Sequence, residues 1–126
     1  LKYLDQYVMA RQSAAEFYDR ELSGISGISI PARVTYSSHS FHQYTIKVPG
    51  KRDELQRFLN SKNIPCMVYY PVPLHMQEAY QYLGYRKGDF PVAEELSEQV
   101  LSLPMHTELT NEQLDYITSA IREFFC

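Results

Sequence analysis

The chain has 126 residues, of which 44% are hydrophobic and 21% charged, and its formal net charge is −3. This length suits one domain, and the composition excludes a disordered chain. The acidic balance, without a basic stripe, argues against a nucleic-acid-binding protein, because phosphate contacts supply much of the affinity of such proteins. No apolar run reaches the roughly 18 residues of a membrane span, and no secretory signal is visible. A cytoplasmic protein without a membrane partner is therefore expected.

The chain begins inside a helical pattern. Apolar residues recur at helical spacing from Leu4 to Leu22, and Gly24 follows closely. Lys2 to Leu22 is therefore predicted to form one long helix with one apolar face. The sequence opens at Leu1 without an initiator methionine or a helix cap, which is the beginning expected of a piece cut from a longer protein.

Two further segments with clear periodicity follow. After a short extended piece at Ile28 to Pro31, the residues from His39 to Val48 alternate in polarity, which predicts a half-buried strand. Arg52 to Ser61 is predicted to be a short amphipathic helix, with Arg52 solvated at its start.

A proline-rich segment occupies the middle of the chain. Pro65 to Tyr70 is rich in β-forming residues and predicts a second strand. The two prolines that follow exclude a regular helix or a central strand, so Pro71 to His75 is expected to be a stiff, extended loop. Met76 to Leu83 is predicted to form a short helix that Gly84 closes.

The last part of the chain predicts a helix and a strand. Asp89 is the predicted N-cap of a helix that has Pro91 in its first turn and runs to about Gln99. Val100 to Leu103 is predicted to be a third short strand.

A final helix completes the pattern. Thr110 and Gln113 have the spacing of a capping box, and the helix they begin has an apolar face formed by Leu114, Ile117, Ile121 and Phe124. The order of elements predicts one α+β domain over residues 1–126. Its expected architecture is a two-layer sandwich, with a small, mostly antiparallel sheet of about three strands and helices on one side.

The sequence contains no complete catalytic motif: neither a glycine-rich phosphate loop nor a G-x-S-x-G elbow is present. Cys66 and Cys126 make neither a disulfide framework nor a zinc signature. His39 and His42 are spaced like half of a metal site, but residues three apart on a strand face opposite sides, so no metal is expected. His42 shares a strand face with Tyr44 and is either a hydrogen-bonded core histidine or a site histidine.

His75 is the most informative candidate residue. The stiff loop would hold its imidazole ready to donate to a sugar hydroxyl or a phosphate oxygen, and the alternative is a histidine that packs the loop or caps a helix. Met67, Tyr69 and Tyr70 beside it could stack on a base or sugar, or could pack on the sheet. The acidic run from Glu94 to Glu98 is typical of a solvated helix face.

Three short motifs occur in a set order: YPVPLHMQ at 70–77, GDFPVAE at 88–94 and LSLP at 101–104. In this order and spacing they resemble the C-terminal part of the DegT/DnrJ/EryC1/StrS aminotransferases. Residues 1–22 resemble the long helix that links the two domains of that family, and the resemblance covers essentially the whole chain.

The resemblance implies a fold type and a chemistry. Members have the aspartate-aminotransferase fold and use pyridoxal phosphate, held by an internal lysine, to put an amino group on a keto sugar carried by a nucleotide. Such amino sugars serve surface polysaccharides or similar glycoconjugates. The expected partners are the missing N-terminal cofactor-binding domain, a homodimer partner, the nucleotide sugar and an amino-acid donor.

The resemblance also implies which residues do not act. The Schiff-base lysine belongs to the large domain, so no catalytic residue is assigned here and no cofactor is expected on this chain alone. Four lysines of this chain lie in elements that do not match the position of that lysine, so none is assigned as catalytic: Lys47, Lys51, Lys62 and Lys87.

What carries over is the small domain's part of the substrate site, because the loop matching YPVPLHMQ approaches the active site in this family. His75 is expected to contact the sugar nucleotide, followed by Gln77, Tyr70 and His42. The PLHxQ form is more similar to members that aminate carbon 3 of the sugar than to those that aminate carbon 4.

The sequence leaves two other hypotheses open for this chain. It could be a free-standing small α+β domain with a metabolite-binding or regulatory role, or a structural module for oligomerisation. An apolar face left exposed on the first helix would favour the fragment, because a stand-alone domain should bury it.

Overall fold

The computed structural model describes every residue from 1 to 126. Its four α-helices are α1 (Leu4–Leu22), α2 (Arg52–Ser61), α3 (Pro91–Gln99) and α4 (Asn111–Phe125). Its two strands are β1 (Tyr44–Lys47) and β2 (Val100–Leu103), which pair antiparallel. Two short 3₁₀ helices, Leu74–Met76 and Glu78–Leu83, lie between α2 and α3.

The sheet is narrower than the sequence predicts. β1 and β2 are its only full strands, and each outer edge carries a single bridge, Ser29 with Lys47 and Met67 with Ser102. The predicted strand at Pro65 to Tyr70 is therefore reduced to Met67. Proline cannot donate to a ladder and the chain leaves the sheet for the proline-rich loop, so pairing does not spread along this segment.

One face of the sheet forms the core. Tyr44 and Ile46 of β1 lie opposite Leu103 and Leu101 of β2, and all four side chains are buried. They join residues of α1, α2 and α4 in one cluster of 18 buried hydrophobic residues. Burial of each large aliphatic side chain contributes about 1.5–3 kcal/mol. The opposite face carries Thr45, whose hydroxyl lies 2.8 Å from that of Ser102. The α+β class with helices packed on a small antiparallel sheet is confirmed.

The helix ends follow local rules at some places and tertiary contacts at others. The capping box of α4 is confirmed, because Thr110 accepts from the backbone of Gln113 and the Gln113 side chain accepts from the backbone of Thr110. Asp89 is not the N-cap of α3. Its carboxylate accepts instead from the backbone N–H of Arg86 at 2.8 Å, and Phe90 occupies the cap position without a side-chain bond.

Two other local predictions need correction. One helix is predicted over Met76–Leu83, but the structure has two 3₁₀ pieces separated by Gln77, whose backbone is extended. Arg52 is not solvated: its side chain is 12% exposed and donates to the carbonyl oxygens of Ser97 and Val100 at the end of α3.

The two halves of α1 lie in different surroundings. In the second half, Ala14, Ala15, Tyr18 and Leu22 are buried in the core. In the first half, Leu4 and Tyr7 on the same face are 52% and 51% exposed. The tertiary structure of the chain thus covers only half of the apolar face. No helix combines the length and the apolar character needed to cross a bilayer.

Candidate substrate groove

A groove lies between the proline-rich loop and α3. Its volume is about 650 Å³, and eleven of its fifteen lining residues are hydrophobic. Aromatic rings make up much of the wall: Tyr69, Tyr70, Tyr80, Tyr85 and Phe90. A mostly apolar hollow with a few polar groups is the usual form of a small-molecule site.

Local sequence chemistry shapes the loop that forms this groove. Pro73 leads into the first 3₁₀ helix with φ −59° and ψ 146°. Gly84 ends the second 3₁₀ helix at φ +77°, a left-handed conformation that glycine adopts without steric cost. Between them, the side-chain amide of Gln77 donates to the carbonyl oxygen of Val72 at 3.3 Å. The loop is therefore closed by its own contacts.

His75 lies in the wall of the groove and is firmly held. Its side chain is only 7% exposed, its Nε2 lies 2.9 Å from Oε1 of Glu94, and its ring centroid is 4.8 Å from that of Phe90. One ring nitrogen is thus already bonded within the chain. Only Nδ1 is left for a ligand.

Glu94 holds the other end of this contact. Both of its carboxylate oxygens accept from the backbone N–H of Gly88, at 2.8 and 3.0 Å. The hydrogen bond from Gly88 lowers the pKa of Glu94 below its usual range, and the bond from His75 lowers it by a smaller amount. Partial burial acts in the opposite direction. The carboxylate is therefore charged at neutral pH and ties the loop to α3.

Three of the four predicted site residues line the same groove. His75 and Gln77 are partly buried in it, and Tyr70 lies at its rim with 72% of the residue exposed. The structure therefore brings together the residues that the YPVPLHMQ motif contributes. Their contact with a sugar nucleotide remains a prediction.

His42 belongs to a different pocket. It lines a smaller hollow of about 270 Å³ with Arg11, Gln43 and Ser102, and Tyr69 is the one residue that lines both hollows. His42 is exposed, so it is not a core histidine. The predicted strand from His39 to Val48 is shorter in the structure: β1 begins only at Tyr44. The backbone of Phe41 is left-handed, with φ 48°, which interrupts the extended chain before the strand.

No metal site is formed around the paired histidines. Nδ1 of His39 accepts from the backbone N–H of Phe41 at 2.8 Å, which closes a tight local turn. No cluster of three or more histidine, cysteine, aspartate or glutamate side chains is placed to hold a metal ion.

Glu94 is the site residue that the sequence prediction missed. The acidic run predicts a solvated helix face, yet the Glu94 side chain is 15% exposed and bonds to His75 and Gly88. The sequence feature that could have identified Glu94 is its position in the GDFPVAE motif, six residues after Gly88.

The chain is similar to known proteins over nearly its whole length. A sequence profile described as the DegT/DnrJ/EryC1/StrS aminotransferase family matches residues 1–122. The chain is 45% identical to the pleiotropic regulatory protein of Geobacillus stearothermophilus, over 98% of this chain and 33% of that protein.

Two named transaminases are also similar. The dTDP-4-amino-4,6-dideoxy-D-glucose transaminase of Shigella dysenteriae is 38% identical over 98% of this chain and 34% of that enzyme. The UDP-N-acetyl-3-dehydro-alpha-D-glucosamine 3-aminotransferase of Acidithiobacillus ferrooxidans is 37% identical over 95% of this chain and 31% of that enzyme. The chain thus spans about a third of the length of the curated relatives it matches.

A solved structure shows the same fold in a larger protein. The chain superposes on DesV of S. venezuelae, crystallised in complex with a ketimine intermediate, with a TM-score of 0.94 and 33% identity, covering 98% of this chain and 33% of that one. Together with the profile match over nearly the whole sequence, this likeness shows that the chain belongs to the DegT/DnrJ/EryC1/StrS aminotransferase family.

Proposed function

We propose that this chain is the C-terminal small domain of a pyridoxal-phosphate-dependent aminotransferase that acts on a nucleotide-linked keto sugar. The observation that carries the proposal is its superposition, at a TM-score of 0.94, on a third of a family member crystallised with a ketimine intermediate. The product would be an amino sugar for a surface polysaccharide or a similar glycoconjugate. The reaction would take place in the cytoplasm.

The first helix supports the view that a larger body covers this domain. Leu4 and Tyr7 lie one turn apart on the same face at the start of α1, and each exposes slightly more than half of its surface. Contiguous exposed apolar surface is typical of an interaction site. We assign residues 1–22 to the helix that joins the two domains. The remaining length of the protein would cover its exposed end.

The role of this domain would be to bind and orient the sugar nucleotide. Tyr70 at the rim offers a ring on which a base or sugar can stack, and Gln77 and His75 offer polar atoms inside the groove. His42 would contribute from the neighbouring hollow. Because the loop is closed by its own hydrogen bonds, little entropy should be lost when it binds a ligand.

The residues of this chain do not by themselves fit the cofactor. When bound, pyridoxal phosphate supplies the electron sink for transamination and is held through a lysine, but no lysine lines the groove or the hollow beside it. The lysine and the phosphate site would belong to the N-terminal domain. A homodimer partner and an amino-acid donor would complete the enzyme.

A first experiment separates the chain from the whole enzyme. The 126-residue chain is mixed with pyridoxal phosphate, reduced with borohydride and mapped by mass spectrometry. The expected result is no stoichiometric adduct at a single lysine. A site-specific adduct at full occupancy would contradict the proposal.

A second experiment tests the activity itself. The full reading frame is expressed and assayed with glutamate and with 3-keto and 4-keto nucleotide sugars in parallel. Amination of one of them is expected, with carbon 3 favoured by the PLHxQ form. The similar transaminases include one that is named for each position, so the assay must offer both. Failure to aminate either keto sugar with cofactor bound would contradict the proposal.

One observation favours a second function, that of a metabolite-binding or regulatory domain. The relative that is 45% identical is named a pleiotropic regulatory protein. That protein is also about three times as long as this chain, so regulation would still involve a larger protein. The transaminase assay distinguishes the two, because a regulator would bind the nucleotide sugar without turning it over.

A further inference from the structure

Glu94 is placed to control what His75 can offer to a ligand. It lies in the first turn of α3, where the helix dipole favours a negative charge. Its side chain is 15% exposed and accepts hydrogen bonds from the backbone of Gly88 and from Nε2 of His75. The transaminase site proposed above does not assign this residue.

The chemistry of a carboxylate decides the direction of the 2.9 Å contact. An ionised carboxylate accepts hydrogen bonds and cannot donate them, so Nε2 of His75 must carry the proton. In a neutral imidazole the other nitrogen then has a free lone pair. Glu94 therefore selects one of the two tautomers of His75.

The free nitrogen remains reachable. Nδ1 of His75 has no hydrogen-bond partner in the chain, and no buried side-chain nitrogen or oxygen lacks a partner. Nδ1 must therefore touch solvent, although the side chain is only 7% exposed. The groove that His75 lines is where a ligand would meet it.

We infer that Glu94 is a positioning residue that fixes His75 in the Nε2-protonated tautomer, so that Nδ1 accepts a hydrogen bond from a hydroxyl of the bound sugar. The inference rests on the proposed function for the identity of the ligand. It narrows that function, because a neutral His75 held in this way accepts from a hydroxyl and cannot donate to a phosphate oxygen.

The tautomer can be observed in the 126-residue chain without ligand. Four histidines are present, so ¹⁵N-histidine labelling gives a simple spectrum, and His75→Asn identifies the His75 signals. At a pH where imidazoles are neutral, the expected result is a single Nε2-protonated form with a slowly exchanging Nε2 proton. An Nδ1-protonated His75 in the unaltered chain would overturn the inference.

Two variants test whether Glu94 is the cause. Glu94→Gln keeps the size of the side chain, but its amide can donate as well as accept, so both tautomers should appear. Glu94→Ala should lose the slowly exchanging proton to water. Glu98→Gln, an exposed change on the same helix, should leave the His75 signals unchanged. The backbone amide spectrum shows in each case that the fold is kept. A single tautomer with a protected proton in both Glu94 variants would overturn the role of Glu94.

The ligand is tested separately in the full-length protein, with UDP-N-acetylglucosamine as the probe. His75→Ala should weaken its binding about twofold to tenfold, the range for one neutral hydrogen bond, and Glu94→Gln should weaken it less. If Glu94→Gln mixes the tautomers but neither variant weakens binding, the sugar contact of His75 is overturned and the positioning role of Glu94 stands. If binding weakens while the tautomer never changes, the positioning role is overturned and the sugar contact stands.

Discussion

Arg11 on α1 donates hydrogen bonds from one guanidinium nitrogen to the carbonyl oxygen of His42 at 3.0 Å and to that of Phe41 at 3.2 Å. The helix proposed to join two domains therefore directly holds the segment that carries a candidate site residue. No acidic side chain pairs with Arg11, so these carbonyls are its only partners in the chain.

Arg11→Met should loosen this segment without unfolding the domain. Loss of the two charge-assisted bonds is expected to lower the free energy of unfolding by about 1–2 kcal/mol. It should also speed amide exchange in residues 41–43 more than elsewhere. Hydrogen exchange measured by NMR checks the local effect, and Arg20→Met, an exposed change on the same helix, is the control. Uniform loss of protection along the chain would contradict the local role.

Arg52→Met should lower the free energy of unfolding by about 2 kcal/mol, because the guanidinium satisfies two carbonyl oxygens at the end of α3 and hydrogen bonds from a charged donor are among the stronger ones. Urea unfolding followed by circular dichroism measures the change. Arg57→Met on the same helix removes an exposed arginine and should change stability little. Equal effects of the two changes would contradict the capping role of Arg52.

Cys66 and Cys126 should differ in their reaction with thiol reagents. Burial raises the pKa of the Cys66 thiol to about 11, whereas Cys126 is exposed. Since the thiolate is the reactive form, Ellman's reagent at about pH 8 should label one thiol of the native chain quickly and the second only in denaturant. Cys126→Ser should abolish the fast phase. Two fast thiols in the native chain would contradict the buried position of Cys66.

The acid dependence of stability should depend on Glu94. Its pKa is lowered in the folded chain, first by the bond from Gly88 and then by His75. A lowered folded pKa contributes stability above the ordinary glutamate value of about 4.3, and this contribution is lost as the pH falls through the folded pKa. Glu94→Gln should therefore reduce stability near pH 7 and flatten its loss between about pH 5 and 3. Urea midpoints over that range provide the measurement. If the urea midpoint changes with pH by the same amount in the unaltered chain and in Glu94→Gln, this dependence on Glu94 is refuted.

The isolated chain should self-associate through the first half of α1. Leu4 and Tyr7 expose about half of their surface, and such patches bind partners or one another. Sedimentation velocity at several concentrations should show association that Leu4→Lys with Tyr7→Lys removes. Tyr36→Lys, which changes an 88% exposed loop residue, is the matched control. If the chain is strictly monomeric and binds no apolar dye, the prediction that α1 has an exposed apolar face without a partner is contradicted.

Several elements could be predicted from local sequence because their causes are local. The bounds of α2 and β2 agree with the prediction, since helical periodicity and β-forming runs act within a few residues. The capping box of α4 depends only on Thr110 and Gln113, three residues apart. The residues of YPVPLHMQ that line the groove could also be predicted from the sequence, because they belong to one continuous segment.

The tertiary structure alone decided the features that depend on distant residues. His75 and Glu94 are 19 residues apart, so neither the bond between them nor the free state of Nδ1 follows from a local pattern. His42 is exposed and precedes β1, and its carbonyl oxygen accepts from Arg11, which is 31 residues away along the chain. Arg52 caps the end of α3 because its guanidinium donates to carbonyl oxygens that lie 45 and 48 residues later in the chain. A polar side chain takes whichever partner folding brings within hydrogen-bond distance, and that choice is made by the packing of the whole chain.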